Sequence, residues 1–252
     1  MPADDRPDPA GHPEATRRQR LRISPSTPAL TYYDENAPAR VELSAITLDN
    51  WVAKAANLLS LDLEVTAGEV VALDLAGSWL QPVWAAASWG IGAIVALPGS
   101  KAAGSARVRI VSADRFQGLG PDEAEVEALV CSNHPLGAPL GDACPAGAID
   151  ALAELPGQPD VATLLPPDPT AAILATGSEL LSATAAMRRA AALAPTPCDR
   201  IAVTPRDSAE ADFFAVVLVP LALAASTVLI VNADPTRMAA IALAERAELL
   251  PD

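Results

Sequence analysis

From Thr27 onward, short apolar runs alternate with longer amphipathic stretches. Residues 29–33 (ALTYY) and 40–43 (RVEL) flank the turn-rich 34–38 (DENAP), a hairpin pattern. Thr47 is expected to cap a helix that presents Trp51, Ala55, Leu58 and Leu59. After Ala67-Gly68, the run 69–75 (EVVALDL) predicts a buried strand. Gly77-Ser78 opens a helix with Pro82 in its first turns, and Gly90 to Gly92 ends it. Strands are predicted at 93–97, 107–111 and 126–130. Residues 132–169 are rich in Pro and Gly and read as a long irregular segment. Regularity returns with a strand at 170–175 and a helix over 179–194. A strand at 199–204, a helix near 209–223, a strand at 227–231 and a helix from Asp234-Pro235 to Leu250 follow. Alternating strands and helices predict an α/β fold, a mostly parallel sheet with helices on both faces. Segments 69–98 and 200–232 repeat one pattern of strand, polar turn, apolar helix and apolar strand. Each reads as a βαβ crossover.

The chain has 252 residues. That length fits a domain at 27–252 behind a disordered tail at 1–26, where prolines are scattered among charges and no apolar leader core is present. The apolar run Phe213–Val231 is long enough to cross a bilayer. Pro220 in its middle, the acidic flanks and the β-branched cluster 227–231 favour a buried helix and strand instead, so no membrane partner is expected. The charge changes the picture further. With 17 Lys and Arg against 31 Asp and Glu, net charge is −14, which opposes a nucleic-acid partner. Three cysteines with no C-x-x-C spacing favour a reducing, cytoplasmic setting.

Little in the chain offers catalytic chemistry. Cys131, His134 and Cys144 are zinc-type ligands, but the paired spacing and a fourth ligand are missing, so two thiols and a loop histidine is the favoured reading and no metal is expected. His12 and His134 are the only histidines and no G-x-S-x-G occurs, which argues against a triad hydrolase. Gly118 and Gly120 begin a dinucleotide-type glycine pattern that fails at Glu123. Trp79, Trp84 and Trp89 read as core residues, with a pocket lining as the alternative.

Residues 171–184 (AAILATGSELLSAT), with their surroundings, resemble the N-terminal subdomain of the adenylate-forming superfamily of acyl-CoA synthetases, luciferases and peptide-synthetase adenylation domains. Residues 46–51 (ITLDNW), 55–57 (AAN), 68–73 (GEVVAL), 87–93 (ASWGIGA) with 97–98, 199–205 (DRIAVTP) and 220–229 (PLALAASTVL) are similar to that family's opening and later patterns in order and spacing. Residues 133–142 (NHPLGAPLGD) and 145–150 (PAGAID) are similar to short, uncharacterised relatives from high-GC bacteria.

The superfamily's phosphate loop reads [TS]-S-G-[ST]-T-G-x-P-K-G. Laid on it, Thr176, Gly177 and Ser178 match the first half and are the candidate cofactor-binding residues. Leu180, Ser182, Ala183 and Thr184 replace its second Gly, Pro, Lys and last Gly, and Glu179 adds a negative charge. A phosphate loop needs backbone N–H groups free to approach an anion, and a cation beside them. The resemblance therefore implies a degenerate site: no catalytic residue, and ATP or AMP unsupported, with weak anion binding at the start of the 179–194 helix as the residual possibility. The family's later motifs find no counterpart before Asp252, which suggests a truncated, inactive relative acting as a binding or regulatory module, with an unknown protein partner possible. The alternative is a nucleotide- or acyl-binding ligase-like subunit completed by a partner chain. An unrelated enzyme with a Rossmann-type pocket is disfavoured by the missing glycine fingerprint.

Overall fold

The computed structural model describes residues 11–37, 39–120, 126–177, 179–194 and 197–251. In chain order they form α1 (Pro13–Ile23), β1 (Pro28–Asp34), β2 (Ala39–Ser44) and α2 (Ala45–Asn57), which continues as a π-helical turn over Leu58–Asp62. Then come β3 (Val70–Asp74), α3 (Gln81–Gly90), β4 (Ile94–Ala96), a 3₁₀ segment at Lys101–Ser105, β5 (Val108–Ser112), α4 (Ala113–Gln117), β6 (Ala128–Cys131), β7 (Ile149–Asp150) and α5 (Ala151–Glu154). The remainder is β8 (Ala172–Thr176), β9 (Glu179–Ser182), α6 (Ala183–Leu193), β10 (Arg200–Val203), α7 (Ala209–Phe213), a π-helical stretch at Phe214–Leu218, α8 (Val219–Leu223), β11 (Ser226–Val231), α9 (Pro235–Ala244) and β12 (Glu248–Leu249). Where the sequence reading expects a single domain at 27–252, the chain divides into two compact units. One comprises 1–49, 167–171 and 182–252, the other 50–166 and 172–181.

The first unit holds a five-stranded sheet in the order β12-β10-β11-β1-β2. β10, β11, β12 and β1 run parallel, and β2 returns antiparallel along β1 with Tyr32 opposite Val41. The predicted hairpin is therefore present, joined to a parallel sheet. β11 is buried along its whole length, as a largely β-branched, mostly apolar run on a central strand should be. The apolar face of α9 closes over it through Ile241 and Ala242, against Ala202, Val228 and Ile230. Ser44, rather than Thr47, supplies the cap of α2: its hydroxyl accepts the Thr47 amide at 3.2 Å.

The expected tail is helical over Pro13–Ile23, and residues 1–10 lie outside the described residues. The His12 ring caps α1, its Nδ1 accepting the Glu14 amide at 3.1 Å. Arg17 grips the buried Glu14 carboxylate with two hydrogen bonds, of 2.7 and 2.8 Å, and reaches Asp49 with its third nitrogen. Few apolar residues line this helix, so an ion pair does the docking that an apolar stripe does elsewhere.

The second unit holds a seven-stranded sheet in the order β7-β6-β5-β3-β4-β8-β9. All five pairings from β7 to β8 are parallel. β3-α3-β4 is a βαβ crossover, and β10-helix-β11 is its counterpart in the other unit, so the two echoing segments are realised as one crossover per sheet. Ala72, Ala96 and Ala175 are small enough for the 3₁₀ segment to approach them through Ala103. The three tryptophans are buried. The Trp79 ring meets Trp51 edge to face at 5.4 Å, and Trp89 donates its indole N–H to the Ile173 carbonyl at 2.9 Å. They pack in the core, as the first of the two readings expects.

The apolar stretch Phe213–Val231 is a helix followed by a strand. The break falls at Ala224, whose φ of +53° puts it in the left-handed region and stops α8. Among the described residues no helix is long and apolar enough to cross a membrane.

Candidate functional site at the carboxyl edge of the seven-stranded sheet

Because β3, β4, β5 and β8 are parallel, their carboxyl ends share one edge. Ligands of open α/β sheets bind outside such ends, above all where the chain leaves neighbouring strands in opposite directions. Two features lie on this edge.

The first is the remnant of the phosphate loop. Thr176 ends β8 and is buried, Gly177 follows with φ of +45°, and Glu179 begins β9. Ser178 lies outside the described residues. A Cβ added at Gly177 would meet nothing within 4 Å. The Gly177 carbonyl accepts the Lys101 amide at 3.1 Å, which ties the turn to the chain that leaves β4.

The helix expected from Glu179 begins only at Ala183. Residues 179–182 form the edge strand β9, with Leu180 exposed. This corrects the anion-binding expectation. No helix N-terminus follows Gly177 directly, and the first three amides of α6 are occupied. Ala183 donates to the Ala171 carbonyl at 2.9 Å, Thr184 to Pro169 at 3.0 Å and Ala185 to the Ser182 hydroxyl at 3.3 Å. A helix start binds an anion through free N–H groups, and here none of those three is free.

The second feature escapes a reading of the sequence. β3 leads through α3 to β4 on one side, and β5 leads through α4 to β6 on the other. At the divergence lies a cavity of about 280 Å³, walled by Asp74, Arg109, Asp114, Arg115, Ala96 and Leu119. Arg109 is 5% exposed, and its Nη2 reaches the Ala103 carbonyl at 3.5 Å. Arg115 stands 3.7 Å from Asp74 at the mouth. A charged residue inside each of two otherwise apolar strands, Asp74 in VVALD and Arg109 in VRIVS, is the signal that could have found it.

The zinc-type residues do not converge. Cys131 is fully buried at the end of β6, and burial pushes its thiol up to about 12. His134 Nδ1 accepts the Leu136 amide at 3.2 Å, while the Cys144 sulfur faces the carbonyls of Pro145 and Ala148. Among the described residues no three His, Cys, Asp or Glu side chains form a metal-binding group. Gly118 caps the end of α4, and the Glu123 that breaks the glycine pattern lies outside the described residues.

No protein-family model matches the chain. Its fold is similar to an acyl-CoA synthetase from Brucella canis, with a TM-score of 0.76 and 20% identity over 94% of this chain and 46% of that one. It is also similar to the acetoacetyl-CoA synthetase of Streptomyces lividans, with a TM-score of 0.68 and 17% identity over 93% of this chain and 41% of that one. The chain thus spans less than half the length of either synthetase and has the fold of their N-terminal part, in agreement with the resemblance read from its motifs. A Mycobacterium tuberculosis protein described as a TIGR03089 family protein is 33% identical over 227 residues, covering 86% of this chain and 88% of that relative. At that identity, sustained along nearly the whole of both chains, the protein belongs to the TIGR03089 family.

Proposed function

We propose that this chain is a catalytically silent binding or regulatory module on an acyl-CoA synthetase-like fold, which does not form acyl-adenylates by itself. The observation that carries this reading is the state of the loop after β8. Adenylation requires the nucleotide's phosphates to be held and charge-balanced while a carboxylate attacks the α-phosphate. Here Glu179 stands exposed beside the turn. Ala183 occupies the place of the family's lysine with its side chain fully buried, and the helix amides that follow are already bonded. Carboxylate-dependent pyrophosphate exchange, measured over a panel of acids with Mg and ATP, tests the proposal. Exchange at the level of a no-enzyme control is expected, and exchange above it would overturn the reading.

A second reading keeps a nucleotide- or acyl-binding role, completed by a partner chain. Its support is the open space over Gly177, where a Cβ added to the glycine would meet no described atom within 4 Å. Calorimetric titration with ATP and AMP separates the two: saturable binding favours the second reading, and its absence favours the first.

A further inference from the structure

We propose that the cavity beside the carboxyl-terminal half of α1 is a binding site for a small neutral polyol of monosaccharide size. This goes beyond the reading of the Gly177 turn, since every residue lining the cavity belongs to the unit of the five-stranded sheet and Gly177 belongs to the other. α1, the turn into β1, the residue before β10 and the residue that ends α8 wall the space, whose volume is about 260 Å³. That falls just below the ~300–1,000 Å³ of pockets that take drug-sized ligands.

Two hydroxyls are the first argument. Thr16 lines the cavity and is only 4% exposed, yet among the described residues its Oγ1 makes no hydrogen bond. It does not take the bond to the carbonyl four residues back that Ser60 and Ser88 make to Ala56 and Trp84. Ser24 also lines the cavity. Its amide is bonded to the Arg20 carbonyl and its carbonyl to Thr27, but among the described residues its hydroxyl has no partner. A buried polar group left unpaired is costly, and a ligand oxygen in this space would pair both hydroxyls.

Charge selects the class. One cation, Arg20, and one carboxylate, Asp199, line the space. Arg20 Nη2 donates to the Pro28 carbonyl at 2.7 Å, and Nη1 stands 3.5 Å from that of Ala224, so part of its five-donor fork remains for a ligand oxygen. A carboxylate or phosphate would gain Arg20 but meet Asp199. It would also meet the carboxyl ends of α1 and α8, whose dipoles oppose an anion. An ammonium would meet Arg20 and the charge of Arg200, which already bears on Arg20. A hydroxyl both donates and accepts. A neutral polyol therefore serves Thr16, Ser24 and Arg20 without bringing a charge that the walls oppose. Ile23 and Ala224 offer apolar contact to its C–H face.

The test uses the full chain and calorimetric titration with D-ribose, D-glucose and myo-inositol, beside propionate, propylamine and inorganic phosphate. At least one polyol is expected to bind with one-to-one stoichiometry, at least tenfold more tightly than propionate, propylamine or phosphate. Thr16→Val keeps the shape of the side chain and removes its hydroxyl. Polyol affinity should fall at least fivefold, while the melting temperature of the free protein holds or rises because no hydrogen bond is lost. Ser24→Ala should weaken binding in the same way, and it decides should Thr16→Val fail to fold. Failure of all three polyols to bind, equal binding of propionate, propylamine or phosphate, or unchanged affinity in the deciding variant would each overturn the proposal. Nucleotides and pyrophosphate exchange play no part in this readout, so failure here leaves the reading of the Gly177 turn untouched.

Discussion

Arg200, at the start of β10, donates its Nη2 to Glu245 Oε2 at 2.6 Å, just past the end of α9. Arg40 Nε and the Tyr33 hydroxyl donate to the other oxygen of the same carboxylate. A negative charge at a helix carboxyl end is opposed by the helix dipole, so these donors from the sheet are what make Glu245 favourable there.

The carboxyl of Glu245 is held at about 2, chiefly by its hydrogen bond from Arg40, against an ordinary value near 4.5. Its folded-state affinity for protons is depressed, so its contribution to stability is complete above pH 4.5 and is lost as pH falls toward 2. Glu245→Gln is expected to cost about 2 kcal/mol at neutral pH, the scale of hydrogen bonds to charged groups. The gap between variant and wild type should close in acid. Denaturant melts at pH 7 and pH 3 check this, and a gap of constant size would refute it.

The docking of α1 should titrate in a higher part of the scale. Burial lowers the His12 pKa below 6.5, with Glu14 and Asp168 opposing and Arg18 assisting. The neutral ring is the one that accepts the Glu14 amide. Stability from this cap is therefore complete above pH 6.5 and is lost as pH falls through the lowered value. His12→Asn, which caps without titrating, should flatten the profile. Arg17→Ala leaves Glu14 buried without its main partner and should cost about 3 kcal/mol or more, read as new proteolytic cleavage within residues 13–23.

Gly92 and Gly177 both have positive φ, yet they should respond differently to alanine. At Gly177 the only penalty is backbone strain, about 1–2 kcal/mol. At Gly92 the new Cβ would also lie 2.7 Å from Leu165 Cδ1 and 2.9 Å from Ala67 Cβ. Gly92→Ala should therefore lower the melting temperature clearly more than Gly177→Ala. Equal shifts would show that the loop carrying Leu165 yields freely.

Restoring the family's lysine should harm the protein rather than revive it. Ala183 is fully buried at the first position of α6. Ala183→Lys forces an ammonium into that space and is expected to cost about 3 kcal/mol or more. Combined with Glu179→Thr it should still show no pyrophosphate exchange. A stable double variant with exchange activity would disprove this.

Most strands can be read from the sequence because their residues carry local signals. Runs such as VVALD at β3 and STVLIV at β11 are apolar and β-branched, and the turn between Asp34 and Ala39 is polar. What is not legible depends on distant partners. Nothing local reveals that β1 lies beside β11, and hence that the strands sort into two sheets. α1 escapes the pattern because it is held by Arg17, Glu14 and Asp49, which no hydrophobic period reports. The pattern starts α6 four residues early because Leu180 and Leu181 fit a helix; the edge strand that claims them is a tertiary outcome. Thr176 and Gly177 are found by motif, whereas the cavity beside Arg109 depends on which strands lie side by side and on the segments packed over their ends.

The pairing of β1 with β11, Leu30 opposite Thr227, also bears on how the chain is made. β1 leaves the ribosome long before its central partner, so pairing the two in the five-stranded sheet closes a long loop of chain. The segments of the seven-stranded sheet all lie between these two strands in sequence and are complete well before β11 appears. That sheet is therefore placed to fold first on the ribosome. Meanwhile the β1–β2 hairpin waits with an open edge, and the apolar stretch ending at Val231 arrives as the piece that closes it.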